Sequence, residues 1–348
     1  MVRAASADAS TASAEPRRPA GGVDAVRAKL SHVPYQFAAV RDLAWLIASP
    51  PLMAAGTPSL AVPADDWLAA LAEEAAPWLE ELDDNPAELQ RYLAGTFLAQ
   101  GPHFRLGRQA ERLLAFWLAR RPGCQLVAAG REVTTDGHVL GELDVVFRDP
   151  RRGLIHWEAA VKFYLRSEGS AEWDTYIGPN PRDRMAHKLR RVIDHQLPLG
   201  RDPRTRAVLG IGDEPLTSEA FLKGWLFYPA DDDWVAPEST PHGAHPGHGR
   251  GWWLRHGAGE VPCAARSSRY LLLARPDWLA PVHRPDDAGQ RPLAHGELRA
   301  ALARHFRDEH AARLVAEVRR DEHGWWRELA RGFVVHAHWP EVVPGDPP

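Results

Sequence analysis

A chain of 348 residues, 45% hydrophobic and 25% charged, has enough apolar matter for a folded core and is too long for one minimal domain. Its formal net charge of −4 excludes a generally basic nucleic-acid binder, so any contact with DNA or RNA has to come from a local patch. Two cysteines are too few for a disulfide framework or a zinc ribbon, and no apolar run reaches the ~18 residues a membrane helix needs, so a cytoplasmic protein without a membrane partner is expected.

Residues 1–25 form an Ala-, Ser-, Pro- and Gly-rich segment without the apolar stretch of a signal peptide, and are expected to be a disordered tail. A helical layer is expected over residues 26–103. Val40, Leu43, Ala44 and Ile47 fall at helical spacing before Pro50-Pro51; Trp67, Leu68, Leu71 and Ala75 mark a second helix; Asp84-Asn85-Pro86 opens a third with Leu89, Tyr92, Leu93 and Phe97. A fourth amphipathic helix runs from Leu106 to Ala119 and stops at Pro122-Gly123.

The hydrophobic period then changes from helical to alternating. Gln125–Val133 and Val139–Phe147 read as strands joined by the hairpin signal Asp136-Gly137, and Leu154–Leu165 follows the turn at Asp149–Gly153 as a third strand. Asn180-Pro181-Arg182-Asp183 reads as the start of a helix that runs to about Gln196 and ends at Pro198, and Phe221–Tyr228 as a further strand. The order over residues 104–230 is therefore α-β-β-β-α-β. Residues 231–285 read as a loop with short strands at Gly251–Arg255 and Tyr270–Leu273. Residues 286–348 read as a C-terminal helical segment, helical over 296–332 with Leu298, Leu302, Phe306 and Leu314 as apolar marks.

Chemistry concentrates on the second and third strands. Glu142 and Asp144 lie two apart and share a face, as do Glu158, Ala160 and Lys162. A short turn makes the strands antiparallel neighbours, so three carboxylates and one ammonium converge. Like charges at close range raise one another's pKa, and such an all-oxygen cluster suits Mg²⁺ or Mn²⁺. The competing reading is an ordinary one: Glu158 and Lys162 also have the spacing of a helical ion pair, and Glu142 and Asp144 of a solvated sheet face. Lysine itself is informative here. Only Lys29, Lys162, Lys188 and Lys223 occur in an arginine-rich chain, and a compact ammonium is not interchangeable with a guanidinium.

Gly141-Glu142-Leu143-Asp144-Val145-Val146, a turn, and then Glu158 to Lys162 resemble the PD-(D/E)XK nuclease superfamily, in the style of the resolvase-related endonucleases. The resemblance implies a mixed α/β restriction-endonuclease-like core with helical additions at both ends. It implies a Mg²⁺- or Mn²⁺-dependent phosphodiesterase acting on DNA, in repair or processing, with RNA left open and a homodimer allowed. Asp144, Glu158 and Lys162 take the catalytic places, and Asp144, Glu158, Glu111 and Glu142 the metal-binding ones. Glu111 comes from Gly107-Arg108-Gln109-Ala110-Glu111, while Lys188, Gln196, Arg182 and Arg184 are expected to support the site. The chain departs from the pattern at Ala160, where the superfamily has an acid two residues before its lysine; Glu158 stands four before Lys162, roughly 13 Å along a strand. A protein that kept this fold only to bind nucleic acid or protein is the alternative.

The whole chain is also similar to a bacterial family of unknown function, domain of unknown function 1853, through Arg41–Leu46, His156-Trp157-Glu158, Trp173–Asp183 and Lys223–Pro229. His242, His245 and His248 in a Gly/Pro loop offer a metal site against the plainer reading of a solvated loop. Trp252-Trp253 and Trp325-Trp326 offer stacking platforms against the plainer reading of core residues.

Overall fold

The computed structural model describes residues 35–98, 105–135, 137–167, 169, 171–236, 240–265, 267–286 and 289–341. The expected tail over 1–25 and Asp136 of the expected hairpin turn lie outside them.

A ten-stranded mixed sheet runs through the molecule. Its main path starts with β1 (Gln125–Thr135), β2 (His138–Asp149), β3 (Gly153–Arg166) and β5 (Leu216–Pro229), and continues through β6 (Gly249–Arg255), β10 (Trp326–Val335), β9 (Arg313–Arg320) and β7 (Arg269–Leu273). The two-residue strands β4 (Tyr176–Ile177) and β8 (His283–Arg284) pair with β3 and β10. The first three strands are an antiparallel meander, whereas β3, β5, β6 and β10 are parallel to one another.

Period-two alternation sorts side chains onto the two faces. Trp157, Phe163, Phe221, Trp225 and Phe227 point to one face, where α1 (Ala38–Ala48), α2 (Asp65–Asp84), α3 (Ala87–Leu98) and α4 (Leu106–Leu118) cover them. Tyr164, Leu222, Leu226 and Tyr228 point to the other, against Met185, Leu189, Val192 and Leu197 of the helical run Met185–Leu199. That run consists of α5 (Met185–Arg191), a π-helical stretch Val192–Gln196 and a last turn Leu197–Leu199. Further along the same face, α7 (His295–Asp308) packs Leu298, Leu302 and Phe306 on Trp252, Tyr270, Val315 and Val334.

Three sequence expectations are corrected. Residues 313–320 and 326–335 are strands rather than a continued helix. The four-residue spacing of Leu298, Leu302 and Phe306 runs on by coincidence to Leu314, but the backbone is extended at Glu309. β9 lies between β10 and β7, and Leu314 to Val318 are all buried; a strand covered on both faces shows no alternation to read. The helix expected from Asn180 begins at Met185, because Asn180–Asp183 closes a turn in which Asp183 N–H donates to Asn180 O. Pro198 does not end that helix but sits inside its last turn, and a further short helix, α6 (Pro203–Leu209), precedes β5.

The β3–β5 pairing depends on one glycine. Gly224 stands opposite Lys162 at φ +144°, and a Cβ there would lie 1.8 Å from the Lys162 carbonyl oxygen. Gly224→Ala is expected to cost about 3 kcal/mol, read as a lower urea midpoint; an unchanged midpoint would contradict this register.

Candidate active site

The ladder between β2 and β3 runs from Asp149–Gly153 to Val145–Trp157 and stops there. The next pair in register would be Asp144 and Glu158. Instead β2 stays with β1 alone, and Asp144 Oδ2 accepts the Ala159 backbone N–H at 2.9 Å. The gap so formed, here termed the chamber, lies between α4, which carries Glu111, and the helical run Met185–Leu199, which carries Lys188 and Gln196.

Glu158 is fully buried on the chamber floor. Lys188 Nζ donates to Glu158 Oε1 at 3.0 Å and to Gln196 Oε1 at 3.1 Å, and Gln196 Nε2 donates to the same Glu158 oxygen. Glu158 Oε2 is buried without a hydrogen-bond partner. Eight residues of regular α-helix would leave Gln196 about 80° round from Lys188. The wider turn of Val192–Gln196 takes that angle back, so that both side chains reach one carboxylate.

Burial is the largest influence on Asp144 and raises its pKa to about 8; Glu158 and Glu111 push the same way, with Lys188 and the Ala159 N–H opposing. Glu111, on α4, is raised to about 7, again chiefly by burial, against Arg108 and with Glu142 and Glu158 adding to the rise. Arg108 grips Glu142 through both Nη atoms, one of them 2.7 Å from Oε2, and reaches Glu111 Oε2 at 3.2 Å.

The model of the domain of unknown function DUF1853 matches residues 41–335. The chain belongs to that family. No curated protein and no solved structure matches it. The match contains every residue of the chamber, so the cluster is part of the DUF1853 region itself.

Of the residues expected from sequence, the fold brings together Asp144, Glu158, Lys188 and Gln196, with Glu111 at the side. Glu142 is on the same strand but is taken up by Arg108. Lys162 shares the face of Glu158, as expected, yet its Nζ donates to Asp183 Oδ2 at 2.9 Å, and Tyr164 OH holds the other oxygen at 2.9 Å. The ammonium beside the acids is thus Lys188. Arg182 is exposed on the turn and Arg184 half-buried before α5. Arg108 and Asp183 were missed as functional partners, although both lie in segments that the resemblances single out. Among the described residues no group of three or more His, Cys, Asp or Glu side chains is gathered as a ready-made metal cage. His248 instead is buried against Tyr228 OH at 2.9 Å, and His245 Nε2 lies 3.1 Å from Asp65 Oδ2. Trp252, Trp253 and Trp326 are buried in the core rather than offered as stacking surfaces. No helix among the described residues is long and apolar enough to cross a membrane.

An ordinary aspartate ionises near about 4, so between about pH 4 and about 8 the unfolded chain is ionised at this position while the folded protein keeps its proton. The stability held at low pH is lost as pH rises through that window. Asp144→Asn should flatten the fall in melting temperature between about pH 5 and about pH 8.5, since an amide oxygen can still accept the Ala159 N–H. Equal pH slopes for the two proteins would contradict the assignment.

Proposed function

We propose that this chain is a Mg²⁺- or Mn²⁺-dependent phosphodiesterase acting on DNA, built on a PD-(D/E)XK-type core whose centre is Asp144, Glu158 and Lys188. The observation that carries the reading is the facing pair Asp144 and Glu158 at the parting of β2 and β3, with Glu158 Oε2 buried and unpartnered. The donor chemistry is that of a hard divalent cation, since one or two carboxylates are what Mg²⁺ commonly takes from a protein. Burial, Glu158 and Glu111 together raise the Asp144 pKa, and a cation beside it would lower it. Asp144 and Glu158 would hold the ion, with Glu111 at its side. When bound, the ion would polarise a phosphoryl oxygen and acidify a water.

The remaining work belongs to the chain. Lys188 is fixed by two acceptors, Glu158 and Gln196, so its ammonium is aimed without further ordering and can offset charge that develops on phosphate oxygens. Glu111, held near neutrality by burial, can accept or return a proton at the chamber wall. In this arrangement Lys162 has a supporting place: with Asp183 and Tyr164 it fixes the turn from which α5, and so Lys188, departs.

A second reading, a nuclease-fold protein that binds DNA without cutting, is favoured by the near-complete burial of Glu158 and the lack of a gathered three-ligand cage among the described residues. Incubating linear, branched and single-stranded DNA and RNA with Mg²⁺, Mn²⁺ or EDTA separates the two. The first reading expects metal-dependent cutting that falls at least about 100-fold in Asp144→Asn, Glu158→Gln and Lys188→Ala, and much less in Lys162→Ala. Folded wild-type protein that cuts nothing in any metal would leave the binding scaffold.

A further inference from the structure

The chamber grades from closed to open in one direction. Glu158 is 1% exposed and Asp144 9%, whereas the side chains of Glu111, Glu142 and Arg108 are 18%, 28% and 37% exposed. Arg108 is the most exposed of these side chains and stands at the rim of the group. Its guanidinium is shared between two carboxylates. Glu111 gives it one contact at 3.2 Å. Glu142 takes the bidentate pair, while facing Glu132 directly across the β1–β2 ladder. Gly130 leaves the guanidinium uncovered on the β1 side: a Cβ there would come 3.1 Å from Glu142 Oε1 and 3.6 Å from Arg108 Nη1.

A phosphodiester approaching Asp144 and Glu158 adds negative charge to a chamber that already holds carboxylates, so its entry needs a cation at the mouth. A guanidinium presents the same planar fork to a phosphate as to a carboxylate. We propose that Arg108 is a phosphate clamp for DNA, resting on Glu142 and transferring its paired N–H groups from that carboxylate to a backbone phosphate as the strand enters. This rests on the phosphodiesterase reading above for its substrate, but the clamp is read out by binding and needs no turnover.

The test is fluorescence anisotropy of a short fluorescein-labelled DNA duplex with the full chain, in EDTA and separately in Ca²⁺, across a salt series. Variants are Arg108→Ala, Arg108→Lys and Glu142→Gln, each with its melting temperature measured alongside. The clamp expects Arg108→Ala to bind roughly tenfold more weakly and to lower the slope of log affinity against log salt by about 0.9, one phosphate contact. Arg108→Lys should recover part of the affinity, and Glu142→Gln, which frees the guanidinium, should bind severalfold more tightly than wild type. An Arg108–Glu142 pair that only braces β2 against α4 gives the opposite pattern: Glu142→Gln weakens binding along with Arg108→Ala, both melt earlier, and the salt slope stays. That pattern, or a wild type that binds the duplex in neither condition, overturns the clamp. If Arg108→Ala does not fold, the sign of the Glu142→Gln effect still decides. Arg108-dependent binding without cleavage in any metal keeps the clamp and removes the phosphodiesterase reading. Cleavage with DNA binding untouched in Arg108→Ala removes the clamp and keeps that reading.

Discussion

Beyond the Val145–Trp157 pair the backbone ladder between β2 and β3 ends, and the Asp144 carboxylate takes the amide of Ala159. A sheet that simply continued would bury Glu158 against a neighbouring strand. Here β3 keeps β5 on one edge and gains a chamber on the other, which only the two-residue β4 begins to close at Leu165 and Arg166. Buried amides need acceptors, and a carboxylate in that role is held in place by the backbone rather than by rotamer preference alone. The position of Asp144 is thus set by the same event that creates the space in front of it.

Electrostatics then dictates what can occupy that space. Glu158 and Glu111 add to the burial that raises the Asp144 pKa, Glu158 adds to that of Glu111, and the ammonium of Lys188 answers them. The π-helical stretch Val192–Gln196 is where the fold gives up regular helix to make that answer, by turning Gln196 back over Lys188. Such a centre is poised for additional positive charge, whether a bound cation inside or a guanidinium at the rim. The structural cost is met elsewhere, in large aromatic contacts on the opposite face: Trp157 stacks on Phe221 with ring centroids 4.2 Å apart and meets Phe147 edge-on at 4.7 Å.

The strands that carry the acids were legible because their apolar residues are β-branched or aromatic and their turns are explicit: Gly153 marks one of them at φ +75°. Asp144 and Glu158 could be paired from two-residue spacing and a short turn alone. The choice of ammonium could not. Lys162 and Lys188 are equally rare lysines in the sequence; what separates them is a turn at Asn180–Asp183 that claims Lys162 through Asp183, and a helical irregularity that no local pattern announces. Ala160 lies between Glu158 and Lys162 on one face of β3, and the ammonium in contact with Glu158 comes from the helix. β9 and β10 escaped because strands buried on both faces lose the alternation that marks a strand, and Arg108 because an arginine in an arginine-rich chain carries no signal until its neighbours are known.

A cation site formed by Asp144 and Glu158 is the centre of the proposed chemistry. The most direct measurement is anomalous diffraction from crystals of the wild-type protein soaked in Mn²⁺ above about pH 8, where Asp144 is ionised, beside crystals of Glu158→Gln. An anomalous peak at the two carboxylates is expected in the wild type and none there in the variant. Ordered crystals with Lys188 still on Glu158 and no peak in the chamber, at a Mn²⁺ concentration that labels other carboxylates on the surface, would contradict it.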